Sequence, residues 1–145
     1  MARSNMAWAR ARNCMVLVMG KDSPRDEEWD GYLEAVQGYR EETTTRRHLV
    51  VTRGGAPYPE QRRASLPPGS RALDPRVRIA VITDSTYVHG VVHAQKRAMD
   101  HIEVFRSADW EKGMSFLQVP RAEVNDMLRL VNGLRAHIGL PPGVD

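Results

Sequence analysis

The stretch from Val77 to Leu117 constrains the fold of this chain more than any other. Val77-Arg78-Ile79-Ala80-Val81-Ile82 is a short apolar run rich in β-branched residues. Thr83-Asp84-Ser85-Thr86 follows with the side chains that satisfy free amides at a helix start. A helix-compatible segment reaches Met99, a second run (Ile102-Glu103-Val104-Phe105) follows, and Ser107-Ala108-Asp109-Trp110 opens another helix. Two short buried runs, each feeding a helix, predict parallel strands in one sheet shielded by helices. Parallel neighbours need a crossover long enough to carry the chain back. Contacts in such sheets gather beyond the carboxyl ends of the strands.

Upstream residues extend the pattern. Met6-Ala7-Trp8-Ala9-Arg10 alternates in character, Ala11-Arg12-Asn13 reads as a turn, and Cys14 to Met19 is continuously apolar. An edge strand and a buried strand joined as a hairpin fit both. Gly20-Lys21-Asp22-Ser23-Pro24 breaks the run, and Asp26-Glu27-Glu28 suits the first turn of a helix. Trp29, Tyr32, Leu33 and Val36 then form one apolar stripe. His48 to Thr52 predicts the third strand, Gly54 to Pro59 a stiff loop, and Glu60 to Leu66 one or two helical turns ended by Pro67-Pro68-Gly69-Ser70.

The helix after the fourth strand is expected to bury Val88, Val91 and Val92, with Ala94 or Gln95 at its flank. Trp110, Met114 and Leu117 mark a penultimate helix. Val124, Met127, Leu128, Val131, Leu134 and Ile138 mark a last one, with Pro120 near its start and Gly139 and Pro141-Pro142-Gly143 beyond its end. The expectation is one α/β domain over residues 1–145. Its sheet would be mixed and mostly parallel, of about five strands with an N-terminal hairpin, and residues 1–5 and 140–145 would be flexible ends.

Function classes narrow on composition. The single cysteine, Cys14, excludes an internal disulfide framework and a Cys-based zinc cluster, and its place in an apolar run predicts a buried, inert thiol. No apolar stretch approaches the roughly 18 residues of a spanning helix. Nothing before Cys14 reads as a secretory leader, so a cytoplasmic protein is expected. The net charge is +3, but nine arginines stand against four acids between Arg40 and Arg78. Such a patch could meet phosphate or an acidic surface. No aromatic series is interleaved with it, so nucleic acid is not an expected partner.

The order strand, strand, helix, strand, short helix, strand, helix, strand, helix, helix resembles a STAS domain, the SpoIIAA-like fold of anti-sigma-factor antagonists. The resemblance runs from about Trp8 to Ile138. Its most specific part is Ile79 to Asp84 and Ile102 to Leu117, where a strand ending in Phe105-Arg106-Ser107 leads into an acidic helix. The chain is especially similar to divergent members in which a Gly-Gly-Ala-Pro loop and a Gln-Arg pair follow the third strand, here Gly54 to Pro57 and Gln61-Arg62. Signalling members carry a phosphorylatable Asp-Ser-Ser/Thr-Gly stretch just after that strand. Here the place reads Thr52-Arg53-Gly54-Gly55-Ala56-Pro57-Tyr58, and Asp84-Ser85-Thr86 comes one unit later. The phosphoswitch does not carry over. The resemblance therefore implies a non-catalytic signalling or scaffold module, bound to a regulatory or kinase-like protein, with a homodimer as a further option and no cofactor.

Several residues could carry chemistry. Ser85 with His89 and Asp84 could imitate a hydrolase triad, although consecutive Asp and Ser place the carboxylate poorly behind the imidazole. His89 and His93 stand one helical turn apart but lack a third metal ligand, and Gly90 follows where zinc hydrolases place glutamate. Arg53 with Gly54-Gly55 could cradle a phosphate, although no nucleotide fingerprint is present. The rim formed by Arg53, Gly54, Gly55, Tyr58, Arg62, Asp84 and Ser85, beside Lys21-Asp22, is the expected binding surface, for a protein or for a small anionic ligand or lipid. Tyr58 would be its aromatic anchor and Arg53 or Arg62 its charge. The stripe from Val124 to Ile138 reads as core, or as a partner seam where exposed.

Overall fold

The structure, a computed structural model, describes residues 4–11, 13–42, 46–64, 77–97 and 101–145, with the backbone alone for 40–42, 63 and 64. Strands β1 (Met6–Ala11) and β2 (Cys14–Met19) form the antiparallel hairpin, with Met6 opposite Met19 and Ala11 opposite Cys14. Strands β3 (Arg46–Thr52), β4 (Val77–Ile82) and β5 (Ile102–Phe105) then add in parallel, giving a five-stranded sheet in the order β1-β2-β3-β4-β5. The chain is α/β with the mixed, mostly parallel sheet expected.

Helix α1 (Asp26–Glu42) links β2 to β3, α2 (Pro59–Ala64) follows β3, α3 (Thr86–Gln95) links β4 to β5, and α4 (Trp110–Phe116) and α5 (Val124–His137) close the chain. Each crossover steps the same way along the sheet, and crossovers of one hand then lay their helices on one face. The packing agrees. Met15, Leu17 and Met19 meet Trp29, Tyr32, Val36 and Tyr39 of α1, while Val81 and Ile102 meet Val88 and Val92 of α3. The opposite face carries Val16, Val18, Leu49, Val51, Ala80 and Ile82, covered by Met114, Leu117, Met127, Val131 and Ile138 from the last two helices. With both faces covered, all six residues of β2 are buried, which is why its sequence is continuously apolar instead of alternating.

Some details depart from expectation. In α3, Val88 and Val92 are buried and Val91 is half-buried, but Ala94 is exposed, because the stripe turns away from the sheet before it. Pro120 precedes a 3-10 turn, Arg121–Glu123, so α5 itself starts at Val124. Helix α3 ends at Gln95 with Lys96 as its C-cap, short of the expected Met99, while Leu66 and the Pro67–Ser70 stop lie outside the described residues. The last segment returns onto α5: Leu140 and Val144 pack against the core, and the Gly143 amide donates to Asn132 Oδ1 at 2.9 Å. Among the described residues, no helix is long and apolar enough to cross a membrane.

Candidate functional site

The strand order never reverses, so no switch point opens a crevice of the usual doubly wound kind. The carboxyl ends of β2, β3 and β4 instead lie side by side, and the loops leaving them are tied together. Thr52, fully buried at the end of β3, is the knot. Its Oγ1 donates to the Gly55 carbonyl at 2.6 Å and accepts from the Gly54 amide at 3.1 Å. The Arg53 amide donates to Met19 O (3.2 Å) and the Gly55 amide to Gly20 O (2.8 Å), stitching this loop to the one after β2. Gly54 holds φ +137°, a region open to glycine, and a Cβ there would lie 3.9 Å from Ser85 Oγ. At Gly55 a Cβ would collide with the Asp22 carbonyl and stand 2.8 Å from Gly20 O. The second glycine is required because two backbones meet.

Gln61 fixes the next segment. Its side chain accepts from the Tyr58 amide (2.7 Å), as a capping box requires, and its amide donates to Pro24 O and Asp26 Oδ1, each at 3.0 Å. Its carbonyl accepts from Trp29 Nε1 at 3.0 Å. Gln61 therefore pins the Gly/Pro loop to the start of α1, and Arg62 Nη1 donates back to Pro57 O at 2.7 Å.

Asp84 and Ser85 stand on the same rim with structural duties. Asp84 accepts from the Ser107 amide (3.0 Å) and hydroxyl (2.6 Å), bridging the ends of β4 and β5. These two bonds hold its carboxyl below the usual aspartate range. Ser85 is the N-cap of α3, its Oγ accepting from the Val88 amide at 3.2 Å. His89 Nε2 lies 3.0 Å from the Thr83 carbonyl, to which it donates. The imagined triad is therefore not assembled: the carboxylate faces Ser107 and the imidazole faces a backbone oxygen. Among the described residues no three side chains converge as metal ligands. The Gly54-Gly55 stretch is a tight turn and no phosphate cradle, since both amides already donate within the fold. Cys14 is buried, and burial raises its thiol to about 12.

A groove of about 860 Å³ runs along this rim. The loop after β2 and the first turn of α1 form one side, from Lys21 to Glu27, and Asn5, Gly54, Tyr58 and Tyr87 complete it. Among the described residues, Tyr58 (57% exposed) and Tyr87 (66%) are the two exposed large hydrophobic side chains, and both line this groove. The expected site is thus brought together in part. Gly54 and Tyr58 face the groove, Ser85 lies behind Gly54, and Gly55, Arg62 and Asp84 serve as ties. Arg53 is half-buried beside Gly54. Sequence reasoning missed Tyr87, whose one signal was an aromatic residue in the first turn of α3, off the valine stripe.

The arginine-rich stretch divides. Arg46, Arg47 and Arg78 lie at the amino ends of β3 and β4, about 20 Å from Arg53 for a strand of that length. Burial and the neighbouring Arg78 hold Arg47 below its ordinary value. Arg71 and Arg76 lie outside the described residues. No family model, curated protein or solved structure matches the chain.

Proposed function

We propose that this chain is a STAS/SpoIIAA-like cytoplasmic signalling or scaffold module. On this reading it docks a protein partner in the strand-end groove and performs no chemistry of its own. One observation carries the reading: both exposed large apolar side chains of the described structure, Tyr58 and Tyr87, line the same groove. Exposed tyrosines that become buried on association are typical anchors of protein interfaces. The Thr52, Gly55 and Gln61 ties support it further, because a loop already held in one conformation loses little freedom on binding. Binding of a small anionic ligand or lipid finds less support. The amides of Arg53, Gly54, Gly55 and Tyr58 are all committed to internal acceptors. The partner class that the family resemblance implies is a regulatory or kinase-like protein.

Co-purification with the tagged chain from its native cells tests the proposal. A protein retained by the wild type should fall about tenfold or more with Tyr58→Ala/Tyr87→Ala, the usual scale for two anchors. The thermal unfolding midpoint should stay in place, since both side chains are exposed. Retention of every partner by the double variant would remove the proposal.

A further inference from the structure

The charge lining the groove runs against that of the chain. The protein carries +3 overall, yet the five charged residues lining the groove are Lys21 and Arg25 against Asp22, Asp26 and Glu27. Arg25 is already committed. Its Nε lies 3.1 Å from Glu28 Oε1, and the other Glu28 oxygen accepts from the Asn5 amide at 2.8 Å. Burial raises the Glu28 carboxyl, but these bonds outweigh it and leave the group below its ordinary value. The Asp26 carboxylate accepts from Gln61 Nε2 at 3.0 Å. Among the described lining residues, Lys21 is therefore the remaining cation beside the carboxylates of Asp22, Asp26 and Glu27, in a groove that Tyr58 and Tyr87 also line.

We infer that the occupant of this groove is an extended peptide segment carrying arginine or lysine, and this rests on the docking reading above. A guanidinium or ammonium gains twice here: from the carboxylates of Asp22 and Glu27, and from the faces of Tyr58 and Tyr87. An acidic segment or a free phosphate would meet like charge. The volume would suit a small molecule, but such sites are lined mainly by apolar side chains. This one is lined by loop backbone, charged groups and two tyrosines. Aromatic-lined grooves are a setting in which extended peptide segments bind.

Panning a phage-displayed library of random dodecapeptides on the whole protein tests the inference, followed by fluorescence polarisation with the selected peptides. Selected peptides should carry net positive charge. Their binding should weaken about tenfold with Tyr58→Ala/Tyr87→Ala, and by a similar factor with Asp22→Lys/Glu27→Lys. Peptides that need the tyrosines but are neutral or acidic, and ignore the charge reversal, would overturn the basic occupant and leave the docking reading standing. Peptides indifferent to both pairs bind outside the groove and would likewise overturn the inference. Recovery of no peptide would overturn the inference alone, the docking reading resting on co-purification. A self-association seen in sedimentation and lost with the tyrosine pair would put a second copy in the groove and overturn the basic segment.

Discussion

Asp84 shows how one residue can read as chemistry and act as architecture. Its two oxygens take both donors of Ser107, so it joins the end of β4 to the entry of α4 at an exposed position. Replacing it with alanine should cost about 1 kcal/mol at neutral pH, the usual worth of such a cap in solvent. The pH dependence has a definite sign. The folded carboxyl lies below the ordinary aspartate value of about 3.9, so the bond contributes fully above that pH and is lost as pH falls through the lowered folded value. Urea denaturation of wild type and Asp84→Ala should differ at neutral pH and converge in acid. A difference that persists unchanged in strong acid would contradict the assignment. Sequence alone marked Asp84 and Ser85 as capping residues by type. It could not assign Asp84 to Ser107, because that bond spans a crossover.

At the scale of elements, the strands and the buried helix faces were legible and the ties between them were not. Continuous apolar runs identified β2 and β4, and three-four spacing identified α1 and α5, because burial on a repeating backbone leaves a period in the residues. Gln61 and Tyr87 have no such period. One is a short-range cap that also reaches α1, and the other is conspicuous only because nothing covers it. Arg135 is the strongest exception to the pattern. It lies on the inner stripe of α5, fully buried between Val131 and Ile138. Its Nη1 reaches Asp145 Oδ1 at 3.2 Å and the Asp145 main-chain oxygen at 3.3 Å. A buried guanidinium costs about as much to desolvate as its pairing returns, so Arg135→Met should be within about 1 kcal/mol of wild type, or more stable. Asp145→Ala keeps the buried charge and removes its side-chain counterpart, leaving only the main-chain oxygen, and should destabilise by about 1–3 kcal/mol. Guanidinium denaturation of the two variants checks the order, and a costly Arg135→Met beside a neutral Asp145→Ala would reverse it.

Over the whole molecule, the fold separates two kinds of surface. At the amino ends of the strands Arg47 and Arg78 are drawn into local contacts, with Gln118 Oε1 at 2.8 Å and Phe116 O at 3.0 Å. At the carboxyl ends the loops are stitched from beneath and present two tyrosines to solvent. The stripe of α5 is core, as its spacing indicated: Met127, Val131 and Ile138 are buried, and Val124 and Leu134 pack against the same cluster. A photo-crosslinking residue placed at Tyr87, with a control at exposed Arg129 on the outside of α5, tests the docking account most directly in living cells. The account predicts one partner protein joined at position 87 and none at position 129. Adducts at position 129 with none at position 87 would contradict it.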